Sequence, residues 1–251
     1  MLVKRPYTLS IAGFDPSGGA GILADVKTFE ANKVIGLGVV SANTFQNDTE
    51  FAGVDWISAE KMIAQIDILI AKFSFEYVKI GLIQDLHVLS AIISHLNTKI
   101  SHLKIIWDPI LKASAGFEFH KAIDAKPLEN ICKEIYLITP NVPEALSLGP
   151  NKNAAENAKH LSKFCNVFLK GGHSENKVGY DTLYLKEGKQ FSFKPKASGI
   201  FPKHGSGCVL SSAITANLVK GESLHRACLK GKQYSERFLT SNKTLIGYHK
   251  I

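Results

Sequence analysis

The sequence predicts an α/β protein with a mainly parallel central sheet and helices on both faces. Short apolar runs alternate with segments of helical periodicity along all 251 residues, a pattern typical of parallel sheets. The hydrophobic fraction of 45% is sufficient for a large buried core and excludes a disordered chain. Because no linker or repeat divides the sequence, we expect residues 1–251 to form a single three-layer domain.

Eight strands are predicted from short apolar runs bounded by turn-forming residues. They are expected at residues 7–12, 37–42, 76–80, 104–108, 134–139, 166–170, 180–185 and 190–193. The last two flank the sequence KEGK, which predicts a hairpin-like turn.

Five long helices are predicted between these strands. They are expected at residues 58–72, 85–97, 153–164, 207–219 and 224–239. Ser58 is a suitable N-cap for the first, and residues 85–97 place their leucines and isoleucines on one face. Another helix is expected to open at the glycines of residues 18–21.

The charge distribution is typical of a solvated lysine-rich surface, and it also fits a small phosphate-bearing ligand for the C-terminal half. Residues 1–125 contain 11 basic and 13 acidic side chains, whereas residues 126–251 contain 19 and 9, giving a net charge of +8 overall. No dense basic run with interleaved aromatics occurs, so we expect no nucleic-acid partner. We also expect no membrane span and no secretory signal, and therefore a cytoplasmic protein. The four cysteines lack the spacing of a zinc site or a disulfide framework.

The sequence Gly205-Ser206-Gly207-Cys208 stands directly before an apolar helical segment. Glycines let backbone N–H groups approach an anion, and a helix N-terminus adds the positive end of its dipole. The motif therefore predicts a phosphate cradle, although an ordinary glycine turn is the alternative. A thiol at a helix N-terminus tends to have a lowered pKa, so Cys208 is a candidate base or nucleophile, unless it is only a buried apolar residue.

Further polar residues follow the predicted strands, at the sheet edge where ligands bind in α/β proteins. Asp108 could hold Mg²⁺ through water or only cap its strand. Thr139, Asn141 and Glu144 offer a second oxygen cluster, and Lys170 could neutralise a phosphate. The glycines of residues 18–21 match neither GxGxxG nor a P-loop, which leaves a simple turn or a flexible loop over a substrate.

In this order the motifs resemble those of the hydroxymethylpyrimidine/phosphomethylpyrimidine kinases, a family of the ribokinase-like superfamily. The resemblance covers residues 7–239 and rests on GFDPSGGAG at residues 13–21, TFQN at 44–47, KIG at 79–81, DP at 108–109, TPN at 139–141, KGG at 170–172 and HGSGC at 204–208. It implies a ribokinase-like fold, two successive ATP-dependent phosphorylations in thiamine biosynthesis, Mg²⁺ and a homodimer, for which residues 43–56 are an interface candidate.

The resemblance also implies a role for each matching residue. Substrate contacts are expected from Gly13, Gly18, Gly19, Ala20, Asp25, Gln46 and Leu82, with Gln46 on the aminopyrimidine edge. Nucleotide contacts are expected from Asp108, Thr139, Asn141, Lys170 and Ser206, and metal contacts from Asp108 and Glu144. Gly205, Ser206, Gly207 and Cys208 would form the anion hole, with Cys208 where many relatives have an aspartate base. On this basis Cys208 is expected to assist proton removal.

Three positions depart from the family pattern. Ser206 replaces a more common threonine, Leu82 replaces a methionine, and residues 110–116 are more compact than the usual loop. The alternatives are a pyridoxine/pyridoxal kinase, a non-catalytic pyrimidine-binding protein and, with least support, a nucleic-acid-binding protein.

Overall fold

The computed structural model describes residues 4–112, 116, 119, 124–172 and 178–249. The strands are β1 (Tyr7–Phe14), β2 (Ile35–Gln46), β3 (Phe51–Trp56), β4 (Tyr77–Ile80), β5 (Lys104–Trp107), β6 (Leu137–Ile138), β7 (Asn166–Leu169), β8 (Asp181–Tyr184) and β9 (Gln190–Phe193). The helices are α1 (Gly21–Ala31), α2 (Ala59–Ile70), α3 (Leu86–Lys99), α4 (Ala125–Glu134), α5 (Val142–Ser147), α6 (Ala154–Leu161), α7 (Ser206–Val219) and α8 (Leu224–Leu239).

All of these strands belong to one sheet, in the order β3-β2-β1-β4-β5-β6-β7-β8-β9. The six central strands of this order, β2, β1, β4, β5, β6 and β7, are parallel to one another. Strand β3 at one edge pairs antiparallel with β2, and the β8–β9 hairpin at the other edge pairs antiparallel with β7. The predicted α/β class with a mainly parallel sheet is therefore confirmed. The carboxyl ends of the parallel strands lie at one edge, as the sequence analysis requires.

The core has one layer on each face of the sheet, because alternate residues of a strand point to opposite sides. On β5, Ile105 and Trp107 belong to the larger apolar cluster with α2, α3, α4 and α6, whereas Ile106 packs with α7 and α8. Helix α7 is buried on all sides from Cys208 to Leu218, so it is the central helix of its layer. Its first turn therefore has a fixed position at the edge of the sheet.

The structure differs from the predicted elements in several places. Strands β1 and β2 extend beyond residues 12 and 42, β6 contains only Leu137–Ile138 of the predicted residues 134–139, and β3 and α4 were not predicted at all. Pro127 suggests a helix breaker, but it lies in the first turn of α4, where a missing N–H is tolerated. Within the part of the chain that the structure describes, no helix is long and apolar enough to cross a membrane. The compact segment at residues 110–116 lies partly outside the described residues.

Candidate active site

The two glycine loops of the sequence analysis lie in direct backbone contact. Gly205 has a φ of +71°, and a Cβ added there would lie 2.1 Å from the carbonyl oxygen of Gly19. Gly21 has a φ of +58°, and its added Cβ would lie 2.1 Å from the carbonyl oxygen of Gly13. Any other residue at these positions would combine backbone strain with a clash. The loop at residues 18–21 therefore lies against both the end of β1 and the N-terminus of α7.

Asp15 holds the first loop in shape and connects it to the second. Its carboxylate accepts hydrogen bonds from the backbone N–H groups of Ser17 at 2.9 Å and Ala20 at 2.8 Å. It also lies 2.8 Å from Nε2 of His204, the residue before Gly205. Burial opposes the Asp15 carboxylate, but the partners named here lower its pKa. No role for Asp15 or His204 could be predicted from the sequence, because the two residues are 189 positions apart and meet only in the fold.

Apolar side chains and one amide lie together beside this loop. A Cβ on Gly13 would lie 3.0 Å from the Leu82 side chain and 3.7 Å from the methyl group of Thr44. The Thr44 hydroxyl accepts from the Gln46 amide at 2.8 Å and donates to the Phe14 carbonyl at 2.8 Å. The structure thus brings together three predicted substrate residues, Gly13, Gln46 and Leu82, at the ends of β1 and β2 and just after β4.

On the other side of the α7 N-terminus lies a lysine–carboxylate pair. The Lys170 ammonium contacts an Asp108 oxygen at 2.8 Å, and a Cβ on Gly207 would lie 3.3 Å from that ammonium. Asp108 also accepts from Thr139 at 2.9 Å and from Ser211 at 3.2 Å. Burial opposes both charges, yet their mutual attraction raises the pKa of Lys170 and lowers that of Asp108. Both groups are therefore charged, next to the proposed phosphate cradle.

Two of the predicted nucleotide residues have internal partners instead. Thr139 is fully buried, and its hydroxyl orients Asp108. The Asn141 side chain caps α5 by accepting from the Glu144 N–H at 2.8 Å, while Glu144 accepts from the Asn141 N–H at 2.7 Å. The predicted nucleotide contact of Thr139 is thus wrong, because no surface of it is free. The Asn141 side chain serves the helix, while Ser206, the first residue of α7, stays partly exposed at the cradle.

Glu144 extends the charged cluster toward solvent. Its carboxylate lies 3.6 Å from the Lys170 ammonium, and burial raises its pKa to about 7. Within the described residues, no group of three or more acidic, histidine or cysteine side chains could enclose a metal ion. Asp108 and Glu144 instead supply two hard oxygen donors beside a phosphate cradle, and Mg²⁺ commonly uses one or two carboxylates together with waters and substrate phosphates. The donor set fits such a shared site.

The predicted low pKa of Cys208 is wrong. The thiol is buried, and burial raises its pKa to about 11 despite the nearby Lys79 ammonium and an N–H bond from Gly21. Desolvation disfavours the thiolate more strongly than the helix N-terminus favours it. At neutral pH Cys208 is therefore a thiol, at the centre of the contacts between the two glycine loops.

Asp25, predicted to contact the substrate, lies instead in the interior. Both of its oxygens are engaged by the Lys79 ammonium at 2.8 and 3.0 Å, by Ser10 at 2.6 Å and by Ser212 at 2.6 Å. Its exposed fraction is 0%, so no ligand reaches it. The prediction is wrong because Asp25 forms a buried ion pair. A lysine inside the strand pattern Val78-Lys79-Ile80 could have signalled such a partner, because lysines are almost never fully buried unless paired.

These observations together define the class of protein. A glycine-lined turn at a helix N-terminus, with a charged lysine–carboxylate pair on one side and the group formed by Gly13, Gln46 and Leu82 on the other, is typical of enzymes that transfer a phosphoryl group to a small molecule.

Comparison with known proteins narrows this class to one family. The sequence matches the phosphomethylpyrimidine kinase family over residues 15–250. The chain is 34% identical over 248 residues to hydroxymethylpyrimidine/phosphomethylpyrimidine kinase from Aquifex aeolicus, an alignment that covers 94% of this chain and 95% of the relative. The chain belongs to the phosphomethylpyrimidine kinase family, which confirms the resemblance found in its motifs.

Solved structures support the same fold. Phosphomethylpyrimidine kinase from Clostridium difficile 630 is 29% identical with a TM-score of 0.76, over 92% of this chain and 97% of that one. An ADP complex of Bacillus subtilis pyridoxal kinase is 25% identical with a TM-score of 0.78, over 96% and 94% of the two chains. The ribokinase-like vitamin-kinase fold and the kinase class are therefore both confirmed.

Proposed function

We propose that this chain, acting as one kinase domain, transfers the γ-phosphoryl group of ATP to the hydroxymethyl group of 4-amino-5-hydroxymethyl-2-methylpyrimidine. A second transfer then converts the monophosphate to the diphosphate. The observation that supports this proposal most directly is the contact between Gly205 and Gly19, which belong to the two loops that we assign to the phosphate and to the substrate. Relatives named for both pyrimidine phosphorylations support the choice of substrate.

The proposed site works mainly by position and charge. The N–H groups at residues 205–208 donate hydrogen bonds to the oxygens of the phosphoryl group during its transfer, and Lys170 balances its negative charge. The substrate hydroxyl oxygen bonds to the γ-phosphorus as the bond to the ADP oxygen breaks. Phosphoryl transfer has a loose transition state with charge on the equatorial oxygens, so fixed donors and orientation supply most of the acceleration.

We infer that Cys208 is not a resident thiolate base. Its thiol is protonated at neutral pH because its pKa is raised to about 11. In a loose transition state the hydroxyl proton leaves late, and in this proposal it passes to an oxygen of the transferred phosphate. Cys208 then contributes its backbone N–H and its packing under the cradle. This revises the expectation that the side chain removes the proton.

Mg²⁺ belongs to the proposal as a partner of ATP. Asp108 and Glu144 would hold it through waters, together with the nucleotide phosphates. When bound, the ion neutralises phosphate charge. Lys170, which lies 2.8 Å from Asp108 and 3.6 Å from Glu144, keeps the two carboxylates at the cradle before the ion arrives.

Pyridoxal is the competing substrate. The Bacillus subtilis relative is a pyridoxal kinase, and it shares the fold at 25% identity. The Gln46 amide favours the pyrimidine, because its oriented donor and acceptor match an aminopyrimidine edge. A hydroxypyridine ring presents a different pattern of donors and acceptors.

Substitution of Gln46 tests this assignment. We expect Gln46→Leu to raise KM for hydroxymethylpyrimidine by about tenfold or more, because a lost hydrogen bond to a buried polar group is worth about 1–3 kcal/mol. KM for MgATP should not change. Gln190→Leu, on the exposed surface of β9, is the matched control. An unchanged KM for the pyrimidine in the Gln46 variant would contradict the role of this residue.

We also propose a cytoplasmic homodimer. Strand β3 forms one edge of the sheet, and the adjacent Phe45 side chain is 54% exposed on β2. Both lie within residues 43–56, the predicted interface candidate. Sedimentation velocity at micromolar concentration distinguishes a dimer from a monomer.

A further inference from the structure

The segment at residues 241–249, which follows α8, lies over both loops of the site. The Leu245 carbonyl accepts from the His204 N–H at 3.0 Å. The Lys203 ammonium donates to the carbonyl oxygens of Asn242 and Thr244, both at 2.7 Å. Lys203 and His204 are the two residues directly before Gly205. The position of the cradle therefore depends on this segment as well as on α7.

The same segment also contacts the substrate-side loop. A Cβ on Gly19 would lie 2.7 Å from the terminal carbon of Ile246 and 2.6 Å from the His204 ring. The side chains of Ile246 and His204 thus both lie against Gly19. Because Asp15 holds both this loop and His204, one connected set of contacts joins the segment to the two loops.

Contacts within the segment and with α1 and α8 keep it in place. The Ile246 carbonyl accepts from Asn242 at 2.9 Å and from Thr244 at 3.0 Å, which closes a compact turn. Further along, the His249 ring packs on Phe238 with centroids 4.9 Å apart, and its Nδ1 lies 3.1 Å from the Tyr234 hydroxyl. The turn is therefore fixed against the helices of the protein. Its contacts with Gly19, Lys203 and His204 can in turn fix the substrate-side loop and the cradle.

We propose that residues 242–246 set the spacing between the substrate-side loop and the phosphate cradle, with Ile246 and Lys203 as positioning residues. The proposal rests on the proposed functions of those two loops. The attacking oxygen and the phosphorus must meet at near-contact distance, and a misplacement of about 1 Å can lower the rate about a hundredfold. Ile246 acts on the substrate loop, and Lys203 acts on the cradle.

The two contacts predict two different kinetic effects. Ile246→Ala should raise KM for hydroxymethylpyrimidine, and Lys203→Met should lower kcat, each by about tenfold or more. KM for MgATP should stay within twofold in Ile246→Ala. Ile246→Leu should restore the wild-type constants, because it refills the space over Gly19. Tyr248→Ala is the control, since this side chain lies in the same segment but is 60% exposed.

A purely structural role gives a different result. If both variants melt at lower temperature but retain wild-type kinetic constants well below the melting point, the proposal is overturned. Hydrogen exchange supplies a readout that does not depend on the substrate assignment. Amides at residues 18–21 should exchange faster in Ile246→Ala than in Tyr248→Ala, even if the wild-type protein phosphorylates no pyrimidine. Equal exchange rates in the two variants would overturn the proposal and leave the proposed function untouched.

Discussion

The glycines of the site could be predicted from the sequence, whereas their neighbours could not. Gly19, Gly205 and Gly207 stand beside predicted strand ends and helix starts, and this local context is visible in one dimension. The partners that make them indispensable, such as the Gly19 carbonyl 2.1 Å from an added Cβ on Gly205, come from distant parts of the chain. The sequence therefore predicts the positions at which a glycine is needed, but not the residues that these glycines contact in the fold.

Gly205→Ala is the most direct test of the cradle at this scale. We expect kcat to fall by about 10²–10³-fold, the usual effect of losing one preorganised donor to a developing charge. The added methyl group meets Gly19, so the N–H groups at the start of α7 must move.

Gly188→Ala is its matched control. Gly188 also has a positive φ, +91°, but nothing lies within 4 Å of its added Cβ. It carries the same kind of backbone strain, but it lies in the turn between β8 and β9 and makes no contact of the kind seen at Gly205. If the two variants lost the same activity, strain alone would explain the effect and the cradle would lose its support.

At the scale of elements, helix α7 joins the two charged centres of the protein. Ser211 donates to Asp108 at 3.2 Å, and Ser212 donates to Asp25 at 2.6 Å. These consecutive residues lie one turn after Cys208, so the helix that begins at the cradle is fixed by two carboxylates. Each carboxylate is in turn paired with a lysine, Lys170 or Lys79.

Removal of one partner of the inner pair should destabilise this arrangement strongly. Lys79→Met leaves Asp25 buried without its cation, and an uncompensated buried charge costs about 3–5 kcal/mol in the free energy of unfolding. Urea unfolding measures this loss.

The double variant Lys79→Met/Asp25→Leu separates the pair from its packing. It should recover most of the loss, because apolar residues of similar size often replace a buried ion pair without cost. A loss below about 1 kcal/mol in the single variant would show that the pair does not hold α7 in place.

Helices and strands whose apolar residues recur with a clear period were predicted, and those without such a pattern were not. Helix α8 occupies residues 224–239 as predicted, and its buried positions recur every three or four residues along its whole length. Strand β3 was missed because its residues are only partly buried or exposed, since among the described strands it pairs only with β2, at the edge of the sheet. Its sequence, with a glycine and an aspartate among six residues, carries little strand signal.

At the scale of the whole molecule, the fold class and the edge that carries the site followed from simple regularities. Strand–helix alternation predicted the parallel sheet, and the polar residues after each strand predicted a ligand edge. The contribution of residues 241–249 could not be predicted in this way. The Lys203–Thr244 and Gly19–Ile246 contacts arise only when α8 returns the chain to the site.

The most direct test of the central claim is ADP release from MgATP, with hydroxymethylpyrimidine, its monophosphate and pyridoxal supplied separately. We expect turnover with both pyrimidines and little with pyridoxal, because we assign Gln46 and the cradle to an aminopyrimidine alcohol and its phosphate. Turnover with pyridoxal alone would contradict this assignment. It would assign the site to a hydroxypyridine instead and leave Gln46 without its proposed role.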